Sequence, residues 1–556
     1  MARLFTAVVQ LFLLTTAVAQ ATYVRQGSSH RSRSQTKIAW RACDVEGAAV
    51  PVECGSLSVP LDYTAEDSNA TLNLELFKVP AVNSPSKGSI LFNFGGPGDT
   101  GIADLALFGD VLRVLTGGYH DLVVFVPRGT DNNTLPFSCY STAVERTIAQ
   151  LSLAAGNSSD VAAGRNWANA QILADTCYVA QNETGAFVGT SFVARDMMRI
   201  VDALGEDGLL RYWGFSYGTL LGATAAAMFP DRMDKVILDG VVNPHEYYQN
   251  REVEMFTDTD KVFAGFCSGC VADPARCPLA RNHTAASLEE AILSFMYHLK
   301  YNPIAVHIPD LGGTLVEYTL LRQLTLNNLY APSIWPAFAT FLDGLMSGDM
   351  GPVIAYITSL LSQPSPVAAE ALQGIKCGDV LVRSPTLEDI LPVVEGRHRA
   401  SKVAGDAADH VPMWCAQWQI DAKERYRGDF RVRTRNPVLV IGNTYDPVTP
   451  LAAARNVSAG LEGSVVLQHD GYGHSSLAQA SLCTAMAIRA YFVNGTLPEP
   501  GTVCDVHVPL FAGTDGFDEI LKHFENGGNA TAKRDSTDRS GLARRLLAPK
   551  PFFMGI

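Results

Sequence analysis

The order of apolar and polar residues predicts strands alternating with helices over most of the chain. Short apolar runs, typical of buried strands, occur at residues 55–60, 72–79, 89–94, 122–126, 209–213, 235–238, 438–441 and 465–468. Stretches with helical periodicity lie between them, notably residues 192–204. Because parallel strands need helical connections, this alternation predicts a mostly parallel sheet with helices on both faces.

The pattern changes between residues 243 and 435. This stretch is mostly helical, with proline-rich breaks such as residues 363–366, and it interrupts the series of strands. We interpret it as a helical cap inserted into an α/β core, over the site. The predicted organisation is a signal peptide at 1–19, a disordered segment at 20–38, the first part of the core at 39–242, the cap at 243–435, the second part of the core at 436–525 and a polar tail at 526–556.

The N-terminus has the features of a secretory signal. Arg3 supplies a positive charge, residues 4–18 are largely apolar, and residues 17–19 (Ala-Val-Ala) form a cleavage site before Gln20. No later apolar run reaches the length of a membrane span, so we expect a secreted, extracellular protein without a membrane anchor. Eight Asn-x-Ser/Thr sequons are candidates for glycosylation: Asn69, Asn132, Asn157, Asn182, Asn282, Asn456, Asn494 and Asn529.

The chain has 11 cysteines, which fits an oxidising compartment. Residues 267–270 (Cys-Ser-Gly-Cys) resemble a redox or metal motif, but no second ligand pair lies nearby. We therefore predict no metal and no cofactor. Local spacing suggests four disulfides, Cys43–Cys54, Cys139–Cys177, Cys377–Cys415 and Cys483–Cys504, and leaves one further pair and one odd thiol among Cys267, Cys270 and Cys277.

Composition and charge exclude a class of partner. The formal net charge is −13, and no basic patch interleaved with aromatic residues is present, so the sequence does not predict nucleic-acid binding. A hydrophobic content of 47% with 18% charged residues is enough for a large core. The sequence leaves the oligomeric state open.

Ser216 has the most informative surroundings in the chain. Residues 214–218 (Gly-Phe-Ser-Tyr-Gly) follow an apolar strand and precede an alanine-rich helix at 219–228. A Gly-x-Ser-x-Gly turn between a strand and a helix is the nucleophile elbow of α/β-hydrolases, in which the serine backbone is strained. Because bulkier residues at the two glycines would clash where strand meets helix, this context predicts a catalytic serine.

An acid and a histidine follow Ser216 in the order that α/β-hydrolases use. Asp446 lies just beyond the strand at 438–441, and His474 lies in a glycine-flanked loop after the strand at 465–468. Each residue thus follows a strand at the edge where open α/β sheets build their sites. We predict that His474 is the base and Asp446 its partner. His469 and Asp470 are the alternatives, although both abut the strand end.

A glycine-rich turn at residues 95–98 (Gly-Gly-Pro-Gly) follows the strand at 89–94. Such a turn can direct backbone N–H groups at the negative charge that develops on a carbonyl oxygen. We predict an oxyanion hole made by the N–H groups of Gly96 and Tyr217, with Gly95 as the alternative to Gly96.

Several motifs together resemble the secreted tripeptidyl-aminopeptidase and prolyl-aminopeptidase-like α/β-hydrolases. The resemblance implies a serine exopeptidase with a tripeptidyl-aminopeptidase-like C-terminal region, and it carries nucleophile, acid and base onto Ser216, Asp446 and His474. The matching motifs, spread from about residue 40 to 505, are residues 60–63, 94–98, 127–130, 212–219, 238–241, 443–450 and 471–474.

The chain departs from the family pattern at four places around these motifs. Val126 stands where an Asp is frequent, and Asp99 replaces a small residue. The family usually continues Gly-x-Gly-x-Ser, whereas here Gly129 is followed by Thr-Asp-Asn at residues 130–132, and Phe94 stands where prolyl aminopeptidases often carry His. These changes leave the triad intact but alter the acyl-group pocket, so the resemblance does not give the natural substrate.

An aminopeptidase needs an anionic partner for the substrate ammonium group. Acidic residues at the start of the cap are candidates, but a solvated helix face would have the same composition, and none is assigned. The candidates are Glu246, Glu252, Glu254, Asp258, Asp260 and, beside the oxyanion turn, Asp99.

Three functions compete. The first is a secreted serine aminopeptidase that releases tripeptides or single residues through an acyl-enzyme on Ser216. The second is a carboxylic-ester or lactone hydrolase that uses the same triad on a small molecule, since the fold hosts both. The third is an inactive binding protein, which an intact triad argues against. The family resemblance favours the first.

Overall fold

The computed structural model describes residues 37–527, except 66, 132–133, 310–311 and 362–367. The predicted signal peptide, nearly all of the segment at 20–38, the tail after 527 and the sequons at Asn132 and Asn529 lie outside these residues. Ile38, the last residue of the segment predicted to be disordered, is buried, because its side chain packs over Gly55 of the first long strand.

Ten of the described strands form one twisted sheet, and two more form a separate hairpin. The strands are β1 (Arg41–Cys43), β2 (Val52–Pro60), β3 (Thr71–Val79), β4 (Ser89–Asn93), β5 (Asp121–Phe125), β6 (Leu210–Phe215), β7 (Met233–Asp239), β8 (Ile304–Ile308), β9 (Gly312–Val316), β10 (Leu439–Tyr445), β11 (Val465–Tyr472) and β12 (Val503–Asp505).

The sheet has the order β1-β2-β3-β5-β4-β6-β7-β10-β11-β12. The pairs β1–β2, β2–β3 and β3–β5 are antiparallel, and every later pair is parallel. Asn93 is paired with Gly214, and Asp239 with both Phe215 and Ile441. The carboxyl ends of β4, β6, β7 and β10 therefore meet at one edge of the sheet, which is where parallel sheets place their functional loops.

Helices cover both faces of the sheet and build the cap. They are α1 (Ile102–Leu115), α2 (Ala143–Leu151), α3 (Ala162–Gln181), α4 (Thr190–Leu204), α5 (Tyr217–Met228), α6 (Pro244–Tyr248), α7 (Thr259–Ala272), α8 (Ala285–His298), α9 (Tyr318–Leu329), α10 (Trp335–Ser347), α11 (Met350–Leu361), α12 (Ala368–Asp379), α13 (Leu387–Ala400), α14 (His410–Gln417), α15 (Leu451–Gly460), α16 (Leu482–Asn494) and α17 (Phe517–Gly527).

The composition of α5 explains how the helix that follows Ser216 is buried. Residues 217–226 are all buried, and the helix packs against both β6 and β7. Its small residues allow this close approach: a Cβ atom added at Gly222 would lie 2.6 Å from the Leu238 side chain. Close packing of this kind fixes the elbow rigidly on the sheet.

Two of the family motifs meet at a buried ion pair. Arg128, from the motif at 127–130, donates to Asp196 of α4 through Nε (2.7 Å) and Nη2 (2.6 Å). Tyr63, from the motif at 60–63, donates its hydroxyl to the same carboxylate at 2.7 Å. Because breaking a buried pair leaves an uncompensated charge, removing either partner is costly. These motifs therefore hold the core together.

The stretch from 243 to 435 contains α6–α14 and also the β8–β9 hairpin, which the sequence analysis did not anticipate. Much of it forms an aromatic core around Phe266, Trp335 and Phe338. Phe511 belongs to the same cluster, which joins this stretch to the C-terminal part of the chain.

Five disulfides are present, and the four pairs expected from spacing are among them. The fifth joins Cys270 to Cys277, so Cys267 is the odd thiol; it is buried, and burial raises its pKa. The six sequon asparagines within the described residues are exposed, and their glycosylation stays a prediction. None of the described helices is long and apolar enough to cross a membrane.

Candidate active site

Ser216 lies at the sharp turn between β6 and α5. Its backbone has φ 55° and ψ −127°, a conformation that L-residues rarely adopt. The flanking glycines are required by close approach: a Cβ atom at Gly214 would lie 2.3 Å from the carbonyl oxygen of Gly218, and one at Gly218 would lie 2.3 Å from that of Asn93. The turn therefore holds Ser216 at the start of a helix and beside the end of β4.

His474 and Asp446 are in direct contact beyond the ends of β11 and β10. Nδ1 of His474 lies 3.2 Å and 3.1 Å from the two carboxylate oxygens of Asp446. Asp446 is fully buried, whereas 13% of the His474 side chain is exposed. The carboxylate thus fixes one ring nitrogen of a histidine whose other nitrogen can face a substrate.

Asp446 is held by three backbone donors besides the histidine. The N–H groups of Val448 and Thr449 donate to Oδ1 at 3.0 and 2.8 Å, and that of Ser475 donates to Oδ2 at 3.0 Å. Burial alone would raise the pKa of Asp446, but the neighbouring His474 and these hydrogen bonds hold it below its ordinary value. Asp446 therefore stays ionised and orients the imidazole.

Thr449 is a third member of this contact that the sequence analysis missed. Its hydroxyl lies 2.7 Å from Oδ2 of Asp446 and 3.0 Å from Nδ1 of His474. Thr449 belongs to the motif at 443–450, three residues after the acid. Nothing in a one-dimensional motif shows that its side chain turns back to bridge acid and base.

Buried polar side chains also hold the loop that carries His474. Asn443 donates its amide to the carbonyl groups of Gly473 (2.9 Å) and Ser475 (2.7 Å). Asp239, at the end of β7, accepts hydrogen bonds from the backbone N–H (2.8 Å) and hydroxyl (2.6 Å) of Ser476. Burial raises the pKa of Asp239 to about 6. The histidine loop is thus anchored on both sides by adjacent strands.

The glycine-rich turn after β4 lies against the elbow. A Cβ atom at Gly95 would lie 2.8 Å from the Cβ of Ser216, and the N–H of Gly95 already donates to the side chain of Asn93 at 3.1 Å. Gly96 lines the same cavity as Ser216. Of the two expected donors this arrangement favours Gly96, together with the N–H of Tyr217 at the first turn of α5.

The alternative base and acid lie elsewhere. His469 is fully buried inside β11, its Nδ1 lies 2.9 Å from the Thr484 hydroxyl, and burial lowers its pKa to about 4. Asp470 is paired with Asp505 of the neighbouring strand.

A cavity of about 70 Å³ lies in front of Ser216, between the sheet edge and the cap. Its lining is mostly apolar, with three ionisable side chains besides the tyrosines: Glu252, Lys376 and Arg397. The remaining lining residues are Gly96, Pro97, Ser216, Val242, Tyr247, Met255, Tyr330, Leu372, Val411, Val448 and Thr449.

Of the acidic residues considered as partners for an ammonium group, Glu252 lines this cavity. The others bond within the protein: Glu246 accepts from the N–H of Glu254 (2.8 Å), Asp260 from the Ser401 hydroxyl (2.6 Å), and Asp99 from the N–H of Gly101 (2.8 Å). Glu254 accepts from Asn243 and Asn456, and Asp258 pairs with Lys261.

The backbone of Glu252 has φ 38°, in the left-handed region that residues other than glycine rarely adopt. The surrounding structure therefore holds this side chain in place at a cost.

Comparison with known proteins adds the family context. Residues 401–504 match the family described as TAP-like protein. The chain is 27% identical to serine protease Hip1 of Mycobacterium tuberculosis, over 84% of this chain and 91% of that protein. It is 25% identical to tripeptidyl aminopeptidase of Streptomyces lividans, over 84% of this chain and 87% of that protein.

A third relative is named carboxylesterase B, from Mycobacterium tuberculosis, at 26% identity over 81% of this chain and 86% of that protein. Among solved structures, a hydrolase from Pseudomonas aeruginosa aligns with 12% identity and a TM-score of 0.30, over 79% of this chain and 98% of that chain.

Proposed function

We propose that the chain is a serine aminopeptidase, because residues 401–504 match the TAP-like family and the chain is similar over most of its length to proteins named serine protease and tripeptidyl aminopeptidase. It would release short N-terminal pieces, tripeptides or single residues, from peptides. The observation that carries the proposal is the contact of His474 Nδ1 with Asp446, at the sheet edge where Ser216 follows β6.

The proposed reaction proceeds through an acyl-enzyme. Ser216 Oγ attacks the scissile carbonyl carbon while Nε2 of His474 takes the serine proton, because Nδ1 is occupied by Asp446 and Thr449. The imidazolium, stabilised by ionised Asp446, then donates that proton to the leaving amine as the C–N bond breaks. Water, deprotonated by His474, attacks the ester, and the acid product leaves as the serine regains its proton.

Charge stabilisation in this scheme comes from the backbone. The carbonyl oxygen becomes an oxyanion when the serine attacks, and the N–H groups of Gly96 and Tyr217 are the proposed donors. Removing one such donor in other hydrolases costs about 2.7–4 kcal/mol of transition-state stabilisation. The helix that begins at Tyr217 adds the positive end of its dipole at the same place.

Glu252 is the proposed partner of the substrate ammonium group. It is the acidic side chain among the cavity-lining residues, and it forms an ion pair with Lys376. A carboxylate accepts several hydrogen bonds, so an ammonium group can share Glu252 with Lys376. A carboxylate beside Ser216 favours chain ends, which have an ammonium group, over internal segments, which have none.

The ester-hydrolase alternative has one specific observation in its favour. The cavity is small and mostly apolar apart from its charged residues, which suits a compact acyl group, and one relative is named a carboxylesterase. The catalytic steps would be the same, with an alcohol as the leaving group.

One comparison separates the two functions. Hydrolysis of a peptide with a free N-terminus is measured beside that of its acetylated form and beside a series of simple acyl esters. We expect a loss of activity of about tenfold to a hundredfold on acetylation, since the ammonium contact is a charged hydrogen bond in a largely buried site. Equal rates for both peptides would remove the aminopeptidase function, and faster turnover of esters would then establish the alternative.

We also propose that the protein acts outside the cell, because its five disulfides need an oxidising compartment. Sequencing the N-terminus of protein recovered from the medium of expressing cells tests this: a mature chain beginning at Gln20 is expected. Retention of the full chain inside the cell would contradict it.

A further inference from the structure

The cavity beside Ser216 has more positive than negative side chains. Lys376 from α12 and Arg397 from α13 both line it, against the single carboxylate of Glu252. Lys376 forms an ion pair with Glu252, and its ammonium group also lies 4.5 Å from the centre of the Tyr247 ring. That pair neutralises one cation and leaves Arg397 as the excess charge of the lining.

Arg397 is almost completely buried, with 1% of its surface exposed, and its guanidinium packs over Phe256 at 4.9 Å. Within the described part of the chain, no acceptor lies within hydrogen-bond distance of its Nε or Nη1. Buried guanidinium groups are normally bonded to carboxylates or carbonyl groups, because an unpaired buried cation is costly. Two unused donors in the wall of a catalytic cavity therefore point to a ligand.

Three carboxylates interact electrostatically with Arg397, namely Asp409, Glu252 and Glu246. Each of them forms its hydrogen bond or ion pair with another group. Asp409 accepts from Nε2 of His398 at 2.7 Å, Glu252 pairs with Lys376, and Glu246 accepts from a backbone N–H. They stabilise the positive charge of Arg397 at a distance, although burial lowers its pKa. None of them forms an ion pair with it among the described contacts, so Nε and Nη1 of this cavity-lining residue are without an acceptor.

We propose that Arg397, with Lys376 beside it, binds a carboxylate group in the acyl portion of the substrate, so that the enzyme prefers peptides with Asp or Glu in the released N-terminal piece. This inference rests on the proposed serine hydrolase function and names its substrate class. A guanidinium presents its donors in a planar fork that matches the two oxygens of a carboxylate, whereas a neutral amide offers one acceptor oxygen and no charge.

The charge balance supports the same choice. Binding a neutral N-terminal residue adds one ammonium group to a cavity lining that already has an excess cation. An N-terminal Asp or Glu adds a carboxylate for Arg397 as well as the ammonium group, so the net charge of the cavity is the same with and without the substrate. A hydrogen-bonded charged pair of this kind corresponds to about tenfold to a hundredfold in kcat/KM between matched acidic and amide substrates.

The first experiment uses the wild-type enzyme and pairs of peptides that differ only by Glu against Gln. The pair is placed in turn at each of the first three positions of a free N-terminus, and kcat/KM is measured for each. A preference for Glu of tenfold or more at one position supports the inference. Equal values for Glu and Gln at all three positions, or a preference for Gln, would overturn it.

Variants then connect the preference to Arg397. In Arg397→Gln the ratio of kcat/KM for the Glu peptide to that for the Gln peptide should fall to about one, whatever the change in the absolute rates. Arg195→Gln is the matched control, because Arg195 pairs with Glu424 and does not line the cavity. If Arg397→Gln does not fold, Arg397→Lys keeps the charge without the fork, and the preference should fall. An undiminished preference in a folded variant would exclude Arg397 as the ligand.

An ester pair keeps the inference separate from the aminopeptidase function. Mono(4-nitrophenyl) adipate is compared with the corresponding adipamide ester, after subtraction of the uncatalysed rate. If no peptide is cleaved but the anionic ester is preferred and Arg397→Gln abolishes that preference, the aminopeptidase function fails and the carboxylate site stands. If peptides are cleaved without any charge preference, the aminopeptidase function stands and the carboxylate site fails.

Discussion

The backbone carbonyl of Tyr330 accepts a hydrogen bond from the backbone N–H of His474 at 2.7 Å, and the two rings are 4.8 Å apart in an edge-to-face arrangement. Tyr330 follows α9, in the stretch inserted between β7 and β10, so the insertion supports the loop of the proposed base as well as covering it. Tyr330 also lines the cavity. Movement of this part of the insertion would therefore disturb the geometry of His474.

Replacement of Ser216 by Ala should abolish hydrolysis without loss of stability. The serine is only partly buried at an exposed elbow, so loss of its hydroxyl leaves no core cavity. The measurements are turnover, thermal unfolding and labelling by a serine-directed phosphonate, which should modify the wild-type protein at Ser216 and not the variant. Substantial turnover in the purified variant would contradict the nucleophile assignment.

His474→Ala should be as damaging as Ser216→Ala, whereas His469→Asn should be mild in activity. Members of a triad act as a unit, so without the base no group takes the proton of the serine. His469 instead bonds Thr484 inside β11, and an Asn amide can replace its Nδ1. Initial rates of the two purified variants decide between them, and the reverse ranking would transfer the role of base to His469.

Asp446→Asn should lower kcat by about 10⁴, as loss of the equivalent acid does in other triads through the wrong imidazole tautomer.

Thr449→Val removes a hydroxyl that bridges Asp446 and His474, and should lower kcat by about tenfold with little change in KM. Thr449→Ser keeps the hydroxyl and should restore most of the rate. Full activity in Thr449→Val would show that the bridge is dispensable.

Acidification should weaken the fold through its buried neutral histidines. Burial lowers the pKa of His469 and of His120 to about 4, from an ordinary value of 6.5. Between these values the unfolded chain binds protons that the folded chain does not, so each histidine's contribution to the free energy of unfolding falls as pH falls from 6.5 to 4. The loss is at most about 3 kcal/mol for each group.

Two buried acids have the opposite effect on the free energy of unfolding as pH falls. The test must therefore compare wild type with a variant that lacks one of the histidines. Burial raises the pKa of Asp239 to about 6 and that of Asp379 to about 7, so protonation of these groups stabilises the fold as pH falls. Denaturant unfolding of wild type and His469→Asn is compared at pH 7 and pH 4. From pH 7 to pH 4 the variant should lose less of its free energy of unfolding than wild type does. Equal losses would show that His469 is not a source of acid sensitivity.

Much of the fold could be read from the sequence because its strands are short apolar runs next to glycines. The run predicted at 465–468 is the start of β11, and the helix predicted at 192–204 corresponds to α4 (Thr190–Leu204). The expected Ser216, Asp446 and His474 lie after β6, β10 and β11 at one sheet edge, since the parallel order brings those ends together. The β8–β9 hairpin was not predicted, because short strands outside the main sheet have a residue pattern similar to that of loops.

The charged end of the cavity could not be read from the sequence. Glu252, Lys376 and Arg397 come from three segments of the insertion that are far apart along the chain, and each alone looks like an ordinary surface residue. Burial and mutual distance decide their role, and both depend on how the helices of the insertion pack. The acidic residues near Glu252 in the sequence have similar neighbours, but none of them lines the cavity.

The disulfide between Cys377 and Cys415 gives the cavity walls unequal stiffness. Lys376 precedes Cys377 in α12, and the bond ties this helix to α14, so one wall is braced covalently. The part of the wall at Tyr330 follows α9, which has no cysteine, and its contacts with His474 are a hydrogen bond and a ring contact. We therefore expect the wall at Tyr330 to move more readily than the wall at Lys376.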